Sequence, residues 1–293
     1  MTSDSISIAI IYFSGTGNTK ILANLYSKEF KNRGATVDTF AIEDINNDRL
    51  VFNPSKYDLI GIGYVIHAFN APRIVFDFIN KMPKSENKST FIFKCPGDSY
   101  AKAGATTMVR NSLKKRGYIV FHEDLILMPA NIFIKYEDEL SKELFEIAKI
   151  KINIFSEQIL TRKEKLQDNT AILRFVTRII SGLESMGSRF FGKNFKVSKS
   201  CNKCLICTNI CPMKNITFKN DRIKFGWKCV LCMRCIYKCP NKSISPKIMK
   251  FFVLKEGYDI EKIINDSKLK GNFLSKNKQG FLRRLYDYSI NFD

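Results

Sequence analysis

The sequence predicts two units: an α/β domain built on a doubly wound, five-stranded parallel sheet, followed by a smaller α+β module. The first prediction rests on the alternation of short apolar runs with amphipathic stretches through residues 5–160. The second rests on two copies of one cysteine pattern between residues 201 and 239. A chain of 293 residues can bury the cores of more than one domain. We therefore expect the α/β domain at 5–160, a helical linker at 161–195, the cysteine-rich module at 196–246 and a basic extension at 247–293.

Apolar, β-branched runs bounded by turn residues predict the strands, because such runs are typical of a parallel sheet covered on both faces. The predicted strands are 6–13, 36–42, 58–64, 90–94 and 119–127. Apolar residues three and four positions apart predict helices through Lys31 and at about 73–81, 106–116 and 137–160. Because strands and helices alternate, we expect right-handed crossovers between parallel strands.

A loop of small residues lies between the first predicted strand and the first predicted helix. It consists of Ser14, Gly15, Thr16, Gly17, Asn18 and Thr19. Backbone N–H groups, hydroxyl groups and the positive end of the helix dipole together suit a phosphate group. The loop contains no lysine, so it is not a Walker A loop. In an open α/β sheet, ligands bind at the carboxyl ends of the strands, where we expect this loop to lie.

Each cysteine run has the pattern C-x2-C-x2-C-x3-C-P. The first run is Cys201, Cys204, Cys207 and Cys211, and the second is Cys229, Cys232, Cys235 and Cys239. The pattern resembles that of bacterial ferredoxins with two [4Fe–4S] clusters, in which the fourth cysteine of each run ligates the other cluster. We therefore expect one cluster on Cys201, Cys204, Cys207 and Cys239. We expect the second cluster on Cys229, Cys232, Cys235 and Cys211.

Two other uses of the cysteines are less favoured. Zinc sites of four cysteines usually pair two C-x2-C knuckles rather than two runs of four. A disulfide framework suits a secreted chain, but residues 1–4 contain no basic segment and no cleavage site follows them. No stretch approaches eighteen consecutive apolar residues, so we expect no membrane span and a reducing, cytoplasmic compartment.

The small-residue loop and the order of elements resemble those of a flavodoxin. Ser14-x-Thr16-Gly17-x-Thr19 after a first strand is similar to the loop that holds the FMN phosphate in that family, and residues 5–160 match its length. Together with the cysteine runs, the chain resembles the flavodoxin–ferredoxin fusion proteins of anaerobic bacteria over about residues 5–245. The resemblance implies FMN and two [4Fe–4S] clusters as cofactors.

In flavodoxins the loops after the third and fourth strands enclose the isoalloxazine ring. The resemblance therefore implies these candidates for ring contacts: Tyr64, His67, Ala68, Phe69, Cys95, Pro96, Gly97 and Tyr100. His67 is either a hydrogen-bond partner of the flavin or a polar surface residue, and both interpretations stay open. Cys95 is expected to be a small buried hydrophobe. Because the chain contains no G-x-G-x-x-G fingerprint, we expect no site for a nicotinamide nucleotide.

Positive charge is concentrated in the second half of the chain. Residues 1–160 carry a net charge of +2 and residues 161–293 carry +18, which together give the total of +20. The excess has two interpretations that stay open: attraction to an acidic partner protein or anionic surface, or a lysine-rich composition on solvated faces. Basic and aromatic residues also mix in the extension 247–293, a composition that suits nucleic acid. Because the chain also carries two expected redox clusters, we do not expect nucleic acid as the partner. Trp227 is expected to cover a cluster.

Apolar residues recur at helical spacing in the linker. They are Ile172, Phe175, Val176, Ile179, Ile180 and Leu183, with Arg174, Arg178 and Arg189 between or beyond them. The pattern predicts either a basic amphipathic helix on a membrane surface or a helix packed across the two domains. We favour the second.

Three functions are compatible with these features. The favoured one is an electron-transfer flavoprotein that passes electrons between FMN, two clusters and an acidic redox protein. The second is a flavin-dependent oxidoreductase that acts on a small organic substrate and uses the clusters as a wire. The third is a redox-sensing regulatory protein. A spacious pocket at the flavin would favour the oxidoreductase, and the sequence predicts no catalytic residue and no oligomeric state.

Overall fold

The computed structural model describes residues 5–98, 106–167, 170–277 and 279–291. The first unit is a parallel sheet of five strands: β1 (Ser7–Phe13), β2 (Thr36–Ala41), β3 (Leu59–Val65), β4 (Lys88–Cys95) and β5 (Tyr118–Leu125). Its helices are α1 (Asn18–Asn32), α2 (Ile42–Asn46), α3 (Arg73–Lys81), α4 (Thr107–Lys114) and α5 (Asp138–Leu160). The five predicted strands are confirmed with small shifts of their ends, and the short helix α2 was not predicted.

The strand order β2-β1-β3-β4-β5 is the flavodoxin-like doubly wound order, which reverses between β1 and β3. Apolar side chains of α1 and α5 cover one face of the sheet, and those of α3 and α4 cover the other. The glycines of β3 are required by this packing, because a Cβ on Gly61 would lie 2.2 Å from the ring of Phe91 and one on Gly63 would lie 2.0 Å from the ring of Phe93. The fold class predicted from the sequence is therefore confirmed.

The second unit begins with the long helix α6 (Ala171–Lys193) and carries both cysteine runs. Its remaining elements are β6 (Phe195–Val197), α7 (Ile206–Asn209), β7 (Ile216–Lys219), β8 (Arg222–Phe225), α8 (Arg234–Tyr237) and β9 (Ile244–Pro246). Strands β6 and β9 form one antiparallel pair, and β7 and β8 form another. A small apolar core that includes Phe191, Phe225 and Ile236 holds these short elements together. This is the α+β module expected at the cysteine runs.

The C-terminal extension packs on the first unit rather than on the second alone. Its helices are α9 (Ile260–Ile264), α10 (Phe273–Lys276) and α11 (Gly280–Ile290). Leu274, Leu285 and Tyr288 share a core with residues of β5 and α5. The Tyr288 hydroxyl accepts a hydrogen bond from the backbone N–H of Leu127 at 3.1 Å. The extension therefore covers the edge of the sheet beside β5.

Helix α6 corrects one expectation. It contacts both units, since its Ser181 hydroxyl accepts a hydrogen bond from Asn70 at 2.8 Å and its Ser188 hydroxyl lies 3.3 Å from the carbonyl of Cys229. However, the apolar residues that were expected to pack between the domains are largely exposed. The helix therefore lies across both units as expected, but small and polar residues make the contacts instead of its apolar face. In the part of the chain that the structure describes, no helix is long and apolar enough to cross a membrane.

Candidate functional site

A cavity of about 780 Å³ opens at the carboxyl ends of β1, β3 and β4. Five residues of the loop after β1 line it: Ser14, Gly15, Thr16, Asn18 and Thr19. His67 from the loop after β3 and Cys95, Pro96 and Gly97 from the end of β4 and the loop after it complete this side. The volume lies in the range of cofactor sites. The structure thus gathers most of the predicted flavin residues at the switch point of the sheet.

The small-residue loop is shaped for a close approach to a ligand. Gly17, the residue before α1, has φ of 119°, a backbone conformation that favours glycine. Its N–H donates to Ser14 Oγ at 3.2 Å, and Thr16 Oγ1 accepts from Asn131 Nδ2 at 2.8 Å. The fifteen-residue helix α1 adds the positive end of its dipole. These features suit an anionic group such as a phosphate.

Two polar atoms in the cavity wall lack a well-formed hydrogen bond to the described residues. The Thr19 hydroxyl is buried and contacts the Cys95 thiol without a well-formed hydrogen bond among the described residues. His67 Nδ1 is also buried and has no hydrogen-bond partner in the described part of the chain. Buried polar atoms are normally satisfied by hydrogen bonds. A polar ligand in the cavity would satisfy both, so these residues fit a flavin phosphate and ring.

A tight turn presents His67. His67 and Asn70 exchange backbone hydrogen bonds of 2.8 and 2.9 Å, and the two residues between them, Ala68 and Phe69, have φ of 41° and 66°. Two successive positive φ values define a type I′ turn, which normally uses glycine or asparagine, so this turn is strained. Burial lowers the pKa of His67 to about 4, although its ring keeps some exposed surface. The ring is therefore neutral near pH 7.

The other ring candidates divide among three environments. Burial raises the pKa of Cys95 to about 12, so its thiol stays protonated and behaves as the buried hydrophobe that was expected. Tyr64 is buried in the core beneath α3 and α4 and does not line the cavity. Ala68 and Phe69 form the turn but are not part of the cavity wall. Tyr100 lies outside the described residues.

One wall of the cavity was not predicted from the sequence. This wall comes from the loop after β5 and from the C-terminal extension, and it includes Phe133, Tyr136, Phe273 and Phe281. The Tyr136 hydroxyl donates to the carbonyl of Gly97 at 2.6 Å. The aromatic composition of the extension was a visible signal. No local pattern indicated that the extension returns to the sheet.

The eight cysteines of the two runs form two groups around separate small cavities. The first cavity is lined by Cys201, Cys204, Cys207 and Cys239. The second is lined by Cys211, Cys229, Cys232 and Cys235. Each group takes three cysteines from one run and the fourth from the other, which is the grouping that two [4Fe–4S] clusters require. Zinc bound by thiolates would need sulfur atoms about 2.3 Å from a single ion. Among the described residues, no three His, Cys, Asp or Glu side chains are grouped closely enough to hold a single metal ion.

The backbone around the cysteines fits the thiolate form. The N–H of Asn215 lies 3.3 Å from Cys211 Sγ, and that of Ser243 lies 3.3 Å from Cys239 Sγ. Such hydrogen bonds help to set cluster potentials. Burial raises the pKa of Cys229 to about 12 and that of Cys232 to about 11, so a cluster bound here would have to displace protons from these thiols. Leu205 and Met233 follow the second cysteine of each run with φ of 61° and 62°, the left-handed conformation that glycine adopts most easily.

The second cysteine group lies directly against the small-residue loop. A Cβ on Gly15 would approach the carbonyl oxygen of Cys232 to 2.7 Å, so the two backbones touch. Arg234 secures this contact, because its guanidinium donates to the carbonyl of Ser14 at 2.6 Å and pairs with Glu43 at 2.5 Å. The first cysteine group lies farther out, and its Cys204 is exposed. Trp227 is 56% exposed beneath the Lys193 ammonium and does not line either cysteine cavity.

Comparisons with known proteins found similarities in both halves of the chain. Residues 193–240 match a family model described as a 4Fe-4S dicluster domain. An uncharacterized protein of the archaeon Methanocaldococcus jannaschii is 28% identical over 106 residues, which are 36% of this chain and 64% of that relative's length. Flavodoxin 2 from Bacillus cereus superimposes with a TM-score of 0.41 at 20% identity, covering 53% of this chain and 99% of the flavodoxin. A short-chain flavodoxin associated with a bacterial microcompartment superimposes with a TM-score of 0.39 at 17% identity, covering 53% of this chain and 97% of that flavodoxin.

The class of the protein follows from the fold and the matched domain. The TM-scores are below 0.5, so the flavodoxin-like assignment rests on the parallel strands and their order rather than on these likenesses. The dicluster match covers both cysteine runs. The chain therefore joins a flavodoxin-like domain to a region that matches a 4Fe-4S dicluster domain.

Proposed function

We propose that the protein carries electrons between FMN in the 780 Å³ cavity, two [4Fe–4S] clusters and an acidic redox protein. FMN exchanges two electrons and each cluster exchanges one, so such a chain connects two-electron and one-electron carriers. The observation that carries the proposal is the contact between Gly15 of the small-residue loop and the backbone of Cys232. It brings the flavin cavity next to a cluster-binding loop without an intervening side chain.

The cavity supports FMN rather than a dinucleotide. The loop after β1 is short and offers hydroxyl groups, backbone N–H groups and a helix N-terminus, but no fingerprint for a pyrophosphate. The unpartnered Thr19 hydroxyl lies at the phosphate end, and the unpartnered His67 Nδ1 lies beside the loop expected at the ring. In this assignment the neutral His67 binds and orients the flavin rather than supplying a charge.

The two cysteine groups support an order of transfer. The second group contacts the flavin domain through Cys232, whereas the first group reaches the surface at Cys204. Exposed lysines lie beside the first group in the chain: Lys199, Lys203, Lys238 and Lys242. We call the cluster expected on the second group the inner cluster and the one expected on the first group the outer cluster. We infer that electrons pass between the flavin, the inner cluster and the outer cluster, and that an acidic partner docks near Cys204.

One observation favours flavin-dependent turnover of a small substrate as a second candidate. The aromatic wall that the extension adds to the cavity, with Phe273 and Phe281, lies beyond the loops that are expected to hold FMN. An apolar molecule would fit between this wall and the ring. Substrate-dependent reoxidation of the reduced flavin without any protein partner would support this candidate over the carrier.

Stopped-flow electron transfer to an acidic ferredoxin tests the docking. The second-order rate should fall as ionic strength rises, because salt screens attraction between exposed charges. The triple change Lys199→Gln, Lys238→Gln and Lys242→Gln should lower the rate at low salt and flatten its salt dependence. Lys28→Gln on α1 is the matched control and should leave both unchanged. A rate that is the same at low and high salt would show that the lysines near Cys204 do not guide a partner.

A further inference from the structure

Helix α6 presents its apolar side to solvent. Seven apolar residues form one stripe along its 23 residues: Ile172, Phe175, Val176, Ile179, Leu183, Met186 and Phe190. All seven are exposed, with Ile172 at 78% and Leu183 at 60%. At about 100° per residue these positions fall on a single face of the helix. We call this face the α6 stripe.

The opposite face of α6 makes the contacts with the rest of the chain. It carries Thr177, Ser181, Glu184 and Ser188, and Glu184 is the only acidic residue in the helix. Ser181 contacts Asn70, and Gly192 packs against Cys229 so closely that a Cβ would lie 2.2 Å from the Cys229 Cβ. In an ordinary amphipathic helix of a globular domain the apolar face would be the buried one. The inverted pattern indicates that something other than the described residues covers the α6 stripe.

Arginines border the α6 stripe along one flank. Arg178 and Arg189 follow its edge at helical spacing, whereas Arg174 lies farther round the helix on the side of Ser181. Lys193 at the end of the helix donates to the carbonyl of Phe225. The helix therefore carries four basic residues and one carboxyl group, which lies on the opposite face. An amphipathic helix with apolar residues bordered by arginine and lysine suits a surface that combines hydrocarbon with negative charge.

A second group of aromatic residues lies at the C-terminal end of α6, around the buried ring of Phe191. The ring of Phe191 lies 5.3 Å from that of Phe252, which in turn lies 4.2 Å from the ring of Phe133 and 5.1 Å from that of Phe251. Phe133 and Phe251 are 52% and 62% exposed. Lys247 and Lys250 are exposed beside them in the chain. Aromatic and basic residues thus lie together in this second group as well.

We propose that the α6 stripe binds the surface of an anionic phospholipid bilayer, with α6 lying in the plane of the interface. The apolar side chains enter the boundary between headgroups and acyl chains, and the arginines contact the lipid phosphates. A second copy of this chain is the less favoured occupant. It would bring a second row of arginines to the contact but no carboxyl group to pair with them, because Glu184 faces the other way.

Co-sedimentation of the anaerobically purified full chain with lipid vesicles tests the proposal. We expect binding to phosphatidylglycerol vesicles, weaker binding as salt rises, and little binding to phosphatidylcholine vesicles. Phe175→Glu and Leu183→Glu should each weaken binding about tenfold or more, since burial of one such side chain is worth about that factor. Val51→Glu is the matched control, because Val51 is an apolar residue of the first unit with 94% exposure.

The iron content and the thermal unfolding of each variant show whether it is still folded. Leu183→Ala is a milder change, and it should weaken vesicle binding less than Leu183→Glu. Absence of binding to phosphatidylglycerol vesicles would overturn the proposal. So would equal binding by wild type and Leu183→Glu. A dimer that Leu183→Glu dissociates, with no vesicle binding by the wild type, would instead identify the α6 stripe as an interface between two copies.

Discussion

Replacement of Gly192 by alanine should remove the inner cluster. Gly192 lies near the end of α6, where a Cβ would stand 2.2 Å from the Cβ and 2.4 Å from the Sγ of Cys229. Real Cβ atoms essentially never approach closer than 3.0 Å, so Cys229 or the helix must move by at least the difference, 0.8 Å. Metal–ligand distances tolerate changes of only about 0.2 Å. Because the hydrogen bonds of Ser181 and Ser188 hold α6 in place, we expect Cys229 to move and to lose its place as a ligand in Gly192→Ala.

The same helix supplies the control for this experiment. Nothing lies within 4 Å of a Cβ on Gly187. Gly187→Ala should keep both clusters and stabilise the chain by about 0.5–1 kcal/mol, because alanine favours a helix over glycine. Iron and acid-labile sulfide, measured after anaerobic purification, should fall from about eight to about four per chain in Gly192→Ala alone. Retention of about eight irons in Gly192→Ala, or the same loss in Gly187→Ala, would refute the reasoning.

Three further predictions concern the flavin loop, its contact with the second unit and pH. Thr16→Ala combined with Thr19→Ala should release most of the flavin on gel filtration, since each hydrogen bond to a charged acceptor is worth about 1.5–3 kcal/mol; unchanged retention would contradict the phosphate assignment. Arg234→Gln should lower the free energy of unfolding in urea by about 3–5 kcal/mol, because it leaves Glu43 buried without its partner, and adding Glu43→Gln should restore part of the loss. Burial raises the pKa of Glu184 to about 7 from 4.5, so the folded chain holds this proton more tightly than the unfolded chain, and stability should fall as pH rises from about 4.5 through 7. Glu184→Gln should therefore raise the unfolding free energy near pH 8 by on the order of 1–3 kcal/mol, and an unchanged pH profile would show that this carboxyl is not desolvated.

Local patterns predicted the elements of the fold and much of the candidate site. The sheet strands are buried on both faces, so their apolar runs stand out in the sequence, and the helix at Arg73–Lys81 has the predicted ends. The small residues at 14–19 and the spacing of the cysteines are short-range features. For that reason the sequence indicated the position of the cavity, and the resemblance of the cysteine spacing to ferredoxins implied the crossed grouping of the cysteines.

Contacts between distant segments were not predictable in the same way. Arg234 looks like one more basic residue in the sequence, and only the fold brings it to Ser14 and Glu43. Tyr64 lies near the carboxyl end of β3, but the pleat directs its side chain into the core rather than toward the cavity. The spacing of α6 predicted an apolar face, but spacing does not specify what covers that face.

Cofactor analysis of the anaerobically purified protein tests the central claim most directly. The account predicts about eight irons, about eight acid-labile sulfides and one FMN per chain, measured together on one preparation. Zinc in place of iron, about four irons rather than eight, or an absence of flavin would contradict the claim that this chain joins a flavin to two [4Fe–4S] clusters.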